Sequence, residues 1–197
     1  MFPRRRTFVL LVSAVLLLTF VALRFRSGNL PTALAAQSQP PAAAFTLSSS
    51  AFKDAAEIPR ANTCDGADQS PELAWTGAPA RTQSFAIIVE DADAPSGSFA
   101  HWLLWNLPAQ TANLPAGVPT NPTLDTGARQ GPNDFHRTGY AGPCPPPGKP
   151  HRYFFTLYAL DAKISPRLKP DSAESSLEDA LQPHILAQAQ LMGTYHR

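Results

Sequence analysis

Residues Phe85 to Pro108 read FAIIVEDADAPSGSFAHWLLWNLP, and they constrain the fold more than any other stretch. Phe85 to Val89 and Trp102 to Leu107 are rich enough in β-branched and aromatic side chains to form buried strands. Between them runs a turn-rich segment that carries Asp91 and Asp93, with His101 where the second strand begins. Charged groups beside buried strands are costly unless they are paired or used. Two explanations stand together at this point. The aspartates could cap a turn through Asx hydrogen bonds while His101 is an ordinary strand-edge histidine, or the three could belong to a site, in which case this is a site-bearing hairpin.

A chain of 197 residues with 44% hydrophobic content is long enough for one domain with a real core and short for two. Its 21 prolines against 11 glycines point to a loop-rich, mainly β protein, because proline is tolerated in turns and at sheet edges but not inside helices. The net charge of +1 hides an asymmetry: Arg4, Arg5, Arg6, Arg24 and Arg26 all precede the first acid, Asp54. Without residues 1–35 the chain carries eleven bases against fifteen acids, which argues against nucleic acid as a partner.

Met1 to Arg6 is a basic n-region, Phe8 to Leu23 is an apolar run, and Ala33-Leu34-Ala35 offers a small-x-small cleavage site before Ala36. Residues 1–35 therefore read as an export signal, which makes the periplasm or the extracellular space the expected location. Arg5-Arg6-Thr7-Phe8-Val9 also resembles a twin-arginine signal. An uncleaved membrane anchor is the alternative, although Arg24 and Arg26 would then lie on the outer side, against the positive-inside trend. Residues 36–44 are a low-complexity linker, and the folded domain is expected over 45–197.

Ala44 to Ser48 and Leu73 to Trp75 read as short strands, separated by a loop-rich segment expected to border the site. After Pro108 comes a polar, proline-spotted connection expected at the surface. A second informative stretch, GPNDFHRTGYAGPCPPPGKPHRYFFTLYAL, ends in a strand from about Arg152 to Leu160. His151 stands at its mouth, with Tyr153 two residues on and hence on the same face of the pleat. The tail is expected to be helical. Ser175 and Glu178 form a capping-box pattern ahead of Leu177 and Leu181, and Pro183 opens a second helix that carries Ile185, Leu186, Ala189 and Met192 and ends at Gly193. His184 would be a partly exposed residue in its first turn.

Several pieces in a fixed order carry a resemblance: TCDG and SPEL within Thr63 to Leu73, Asp91-Ala92-Asp93-Ala94-Pro95, His101-Trp102, Asn106-Leu107-Pro108, Gly139-Tyr140, Gly142-Pro143, His151-Arg152-Tyr153 and Leu157-Tyr158-Ala159-Leu160. Across about residues 45 to 195 the chain resembles the phosphatidylethanolamine-binding protein family, in its bacterial Raf-kinase-inhibitor-like branch. The resemblance implies a mainly β fold, an antiparallel β-sandwich with short C-terminal helices. It also implies a small pocket for phosphate or a phosphorylated head group, and no cofactor. The positions that match the family's pocket are Asp91, His101, His151 and Tyr153, with Gly142 and Pro143 in its wall. Asp93 and Pro95 would support the turn. Two departures stand out: Ala92 occupies a position where the family has proline, at an expected cost under about 1 kcal/mol, and His136 stands where a small residue is usual, read as pointing into solvent.

In such a pocket both imidazoles and Tyr153 would donate to the anion while Asp91 accepts from an imidazole or a ligand amine, so affinity should fall as pH rises above about 7. Three other readings belong beside this one. Asp91, Asp93, His101 and His151 could form a metal site for hydrolysis, though no HExxH-type spacing supports it. Serine hydrolysis is weaker, since Gly97-Ser98 lacks the pattern of a nucleophile elbow. A protein target such as a protease or kinase is known in the family. Cys64 and Cys144, the only two cysteines, would form a disulfide in an oxidising compartment, closing a loop worth about 4 kcal/mol on the chain-entropy view.

Overall fold

The computed structural model describes residues 43–95, 97–166 and 173–197; the segment expected to be an export signal and most of the expected linker lie outside them. In chain order the elements are β1 (Thr46–Ser48), β2 (Ala56–Glu57), β3 (Leu73–Thr76), β4 (Ser84–Asp91), β5 (Phe99–Pro108), β6 (Asn113–Leu114), β7 (Arg129–Gln130), β8 (His151–Leu160), α1 (Ala173–Leu181) and β9 (Ile185–Tyr195). A three-stranded sheet runs β1-β3-β6, and a six-stranded sheet runs β2-β9-β8-β4-β5-β7. Every pairing is antiparallel except that of β2 with β9.

The large sheet is buried on both faces, which explains why its central strands are apolar without a break. Side chains alternate across a strand. In β4, Phe85, Ile87 and Val89 enter the core shared with Leu47, Leu73 and Trp75 of the small sheet, while Ala86 and Ile88 enter a second core under Leu177 and Leu181 of α1. Tyr153, Phe155 and Leu157 of β8 add to the first core, at or near zero exposure.

Two irregularities in β5 matter for the site. Opposite β4 the register slips once between Leu104 and Leu107, where Asn106 takes a left-handed φ of +60° and clamps both the N–H and the carbonyl of Ile164. It slips again where Val89 faces Trp102 but Glu90 faces Ala100, so that His101 is the extra residue of a β-bulge. Bulges of this kind re-aim a side chain out of the ordinary alternation.

The sequence expectation fails at the tail. Residues 185–195 form no second helix; after a 3-10 turn at Gln182–His184 they run as β9 along the whole of β8. The spacing of Ile185, Leu186, Ala189 and Met192 fits a helix, but Ala189, Leu191 and Tyr195 are buried in alternation, and the open edge of β8 decides between the two. Gly193 stands inside the strand, where a Cβ would come within 2.5 Å of Ile58. It is there for close packing rather than for ending a helix. Ser175 lies within α1 and not at its cap, and His184 is bound to Asp161 through Nδ1 at 2.9 Å. The connection after Pro108 is less superficial than its composition suggests, since it buries Leu114, Val118 and Gln130.

Candidate functional site

Asp91 closes β4 on the side of the core shared by the sheets and is only 4% exposed. Both carboxylate oxygens are occupied: Oδ1 accepts the Asp93 N–H at 2.9 Å and Oδ2 accepts Nδ1–H of His151 at 2.8 Å. The Asx turn and the imidazole partnership, alternatives in the sequence, thus coexist in one side chain. Asp93 points the other way, into a two-pronged pair with Arg152 at 2.7 and 2.8 Å. That guanidinium holds the Asp93 carboxyl down at about 2.

The bulge aims His101 at the same place. Its Nδ1–H donates to the Ala141 carbonyl at 2.6 Å, and its own carbonyl accepts from the Ala141 N–H at 3.0 Å. A carbonyl cannot donate, so the proton sits on Nδ1 and Nε2 remains as the ring's other polar atom. The imidazole is walled by Phe99, Phe135 and Tyr153, with ring centres 5.4, 5.3 and 5.2 Å away. Burial pulls its pKa below the usual histidine value, outweighing the Ala141 carbonyl and the charges of Asp91 and Asp134. Without a ligand, burial thus favours the neutral form of the His101 ring.

A loop that sequence reasoning left unassigned holds this arrangement. Asn133 accepts the N–H groups of Phe135 and Arg137 and donates to the Gly139 carbonyl, while Asp134 takes the Ala100 N–H at 2.7 Å beside the bulge. Phe135 is thereby placed against Phe99, with ring centres 4.7 Å apart. Within that loop His136 is exposed at a left-handed φ of +59°, a conformation that suits a residue without Cβ.

These parts enclose a cavity of about 330 Å³ lined by Asp91, His101, His151, Ala94, Pro95, Phe99, Phe135 and Cys144-Pro145-Pro146. Among the described residues that line it, none is Lys or Arg. Three expected members are not among the lining residues. Gly142 and Pro143 sit behind the wall rather than in it: Gly142 donates to Asp68 at 2.6 Å, and a Cβ there would stand 2.3 Å from the Asn62 carbonyl oxygen. Tyr153 lies beneath the floor, fully buried, its hydroxyl without a hydrogen-bond partner in the protein. Burial first, then the Asp91 charge, keeps that phenol protonated well above its usual range. The wall itself is tied back by a Cys64–Cys144 disulfide with Cα atoms 5.4 Å apart, and by the Cys64 N–H on the Pro143 carbonyl. Among the described residues no three His, Cys, Asp or Glu side chains gather as a metal-holding group.

The chain matches the family model for phosphatidylethanolamine-binding proteins over residues 48–196. It is 43% identical to a UPF0098 protein of Methanothermobacter thermautotrophicus over 77% of this chain and 98% of that one. It is 38% identical to the UPF0098 protein YbcL of Escherichia coli over 78% of this chain and 88% of the relative. The crystal structure of E. coli YbcL, described as a new member of the mammalian family, superposes with a TM-score of 0.72 over 78% of this chain and 98% of that one, at 34% identity. A homologue from Chlamydia trachomatis gives 0.69 at 36% identity over the same shares of the two chains. Fold, sequence and family model agree, and the chain belongs to the phosphatidylethanolamine-binding protein family.

Proposed function

We propose that the domain is an exported binding protein whose cavity holds a phosphate or the phosphorylated head group of a small molecule or lipid, without turning it over. One observation carries the reading: two imidazoles on different strands, each with Nδ1 committed to a protein acceptor, line one cavity with Nε2 as their remaining polar atom. That arrangement presents two directional hydrogen-bonding atoms to one ligand oxyanion. Each Asp91 oxygen already accepts a hydrogen bond, from His151 and from the Asp93 N–H, so its role is to orient the imidazole. Cys144, in the wall, is oxidised and offers no thiolate. The disulfide also supports export, since such bonds persist in oxidising compartments.

Calorimetry with O-phosphorylethanolamine tests the reading. Wild type should bind it, and a His101→Ala, His151→Ala double variant, checked for folding by its thermal melt, should not. Equal binding to both proteins would remove the cavity from the account.

A further inference from the structure

The charge inventory of the cavity is unusual for an oxyanion site. Its wall offers no described Lys or Arg, and Asp91 contributes a buried negative charge. Aromatic rings and prolines make up most of the rest. A dianion there would lie close to the Asp91 carboxylate, while the guanidinium groups nearby, Arg137 over the Phe135 ring and Arg197 at 4.0 Å from Cys144 Sγ, stand behind lining residues rather than among them.

His101 sharpens the point. Its donor nitrogen is fixed on the Ala141 carbonyl at 2.6 Å, and it is 2% exposed between Phe99, Phe135 and Tyr153. The titratable groups around it are Asp91 on β4, His151 and Tyr153 on β8, and Asp134 in the loop that follows β7. Despite two carboxylates in that set, burial among the three aromatic rings lowers the pKa of the imidazole and favours its neutral form. A neutral imidazole with its proton on Nδ1 presents a lone pair at Nε2 and can only accept there.

Resting on the oxyanion reading above, we infer that the site selects its ligand by protonation: it takes a singly protonated phosphomonoester, whose P–O–H donates to Nε2 of His101 while His151 Nε2 meets another oxygen. The monoester contributes one negative charge instead of two and supplies the proton that the neutral ring lacks. An oxyanion of the same size and charge without an acidic O–H would cover Nε2 without giving it a donor, which costs about ten- to a hundredfold in affinity. His101 is then a specificity-determining residue, and it sorts phosphomonoesters from sulfate esters.

The test compares methyl phosphate with methyl sulfate on the full chain by calorimetry at pH 6 and pH 8. The two are alike in size, and both carry a single charge when the phosphate is singly protonated. With a second phosphate pKa near 6, the protonated fraction of methyl phosphate drops about fiftyfold between these pH values. Its affinity relative to methyl sulfate should fall by roughly that factor, with methyl sulfate at least about tenfold weaker at pH 6. Equal affinity for the two esters, or tighter binding of methyl phosphate at pH 8 than at pH 6, overturns the selection by protonation and leaves the oxyanion reading standing. Binding of neither ester overturns both.

Discussion

Asp91 and Glu90 are neighbours on β4 whose side chains leave opposite faces of one sheet, and the protein treats the two carboxylates in opposite ways. Asp91 is matched, oxygen by oxygen, with an imidazole and a backbone N–H. Glu90 shares the Ser98 hydroxyl with Glu174 of α1, at 2.7 and 3.5 Å, and Glu178 is close enough to feel the same charge. Burial, followed by the charges of Glu90 and Glu178, raises Glu174 to about 8, and its Oε1 is buried without a partner. One face is organised around charge complementarity and opens to a cavity. The other sets acids against each other where a helix docks. The contrast teaches that burial alone does not mark a site; what marks it is burial together with partners that leave specific atoms facing a cavity.

Removing the cross-link on the Asp91 side should have the largest effect. A Cys64→Ser, Cys144→Ser variant frees a loop spanning 80 residues of sequence and should lose about 4 kcal/mol in denaturant unfolding. A loss under about 1 kcal/mol would show that hydrogen bonds such as Gly142 to Asp68 hold the wall unaided. Next comes the direct comparison of neighbours. Asp91→Ala strands His151 and the Asp93 N–H and should cost about 3 kcal/mol together with ligand binding, whereas Glu90→Ala should leave binding intact and stability within about 1 kcal/mol. Similar losses from both would erase the distinction.

A smaller effect concerns pH. Because the folded value of Glu174 lies above its unfolded value, the native state binds the extra proton between about 4.5 and 8, and stability declines as pH rises through that window. Glu174→Gln should flatten that slope, stabilising by about 1–2 kcal/mol at pH 8 and hardly at all at pH 4. Thermal melts at the two pH values check it. The smallest effect belongs to the exposed Asp93–Arg152 pair. With Asp93 held down at about 2, its contribution is complete above about 4 and disappears as pH falls through 2. An Asp93→Asn variant should therefore differ from wild type above pH 4 and converge with it near pH 2.

Much of this was legible in the residues. The central strands of the large sheet announce themselves because both faces are covered, so Phe85 to Val89, Trp102 to Leu107 and Arg152 to Leu160 carry no polar alternation to obscure them. His151 and Tyr153 share a face by simple pleat geometry, although the tyrosine ends below the cavity floor. β9 was not legible, since ILAQAQLM satisfies helical and strand periods equally and only the open edge of β8 settles the matter. The bulge at His101 was also hidden. It depends on register against β4, and its freed Ala100 N–H is met by Asp134 from a distant loop. The aromatic wall of Phe99 and Phe135 was missed for the same reason, as ring pairing across 36 residues of sequence leaves no local pattern. The asymmetry between Glu90 and Asp91 needed α1 in place before it could be seen.

The central claim is that His101 and His151 present Nε2 to one bound oxyanion. Long-range proton–nitrogen correlation spectra of the imidazole side chains, recorded during titration with O-phosphorylethanolamine, test it most directly. Of the five histidines, the account predicts that only the Nε2 resonances of His101 and His151 move, saturating together, while their Nδ1 signals keep the proton-bearing signature. Saturation of the protein with ligand while both Nε2 resonances stay fixed, or movement confined to His136, His184 or His196, would contradict it.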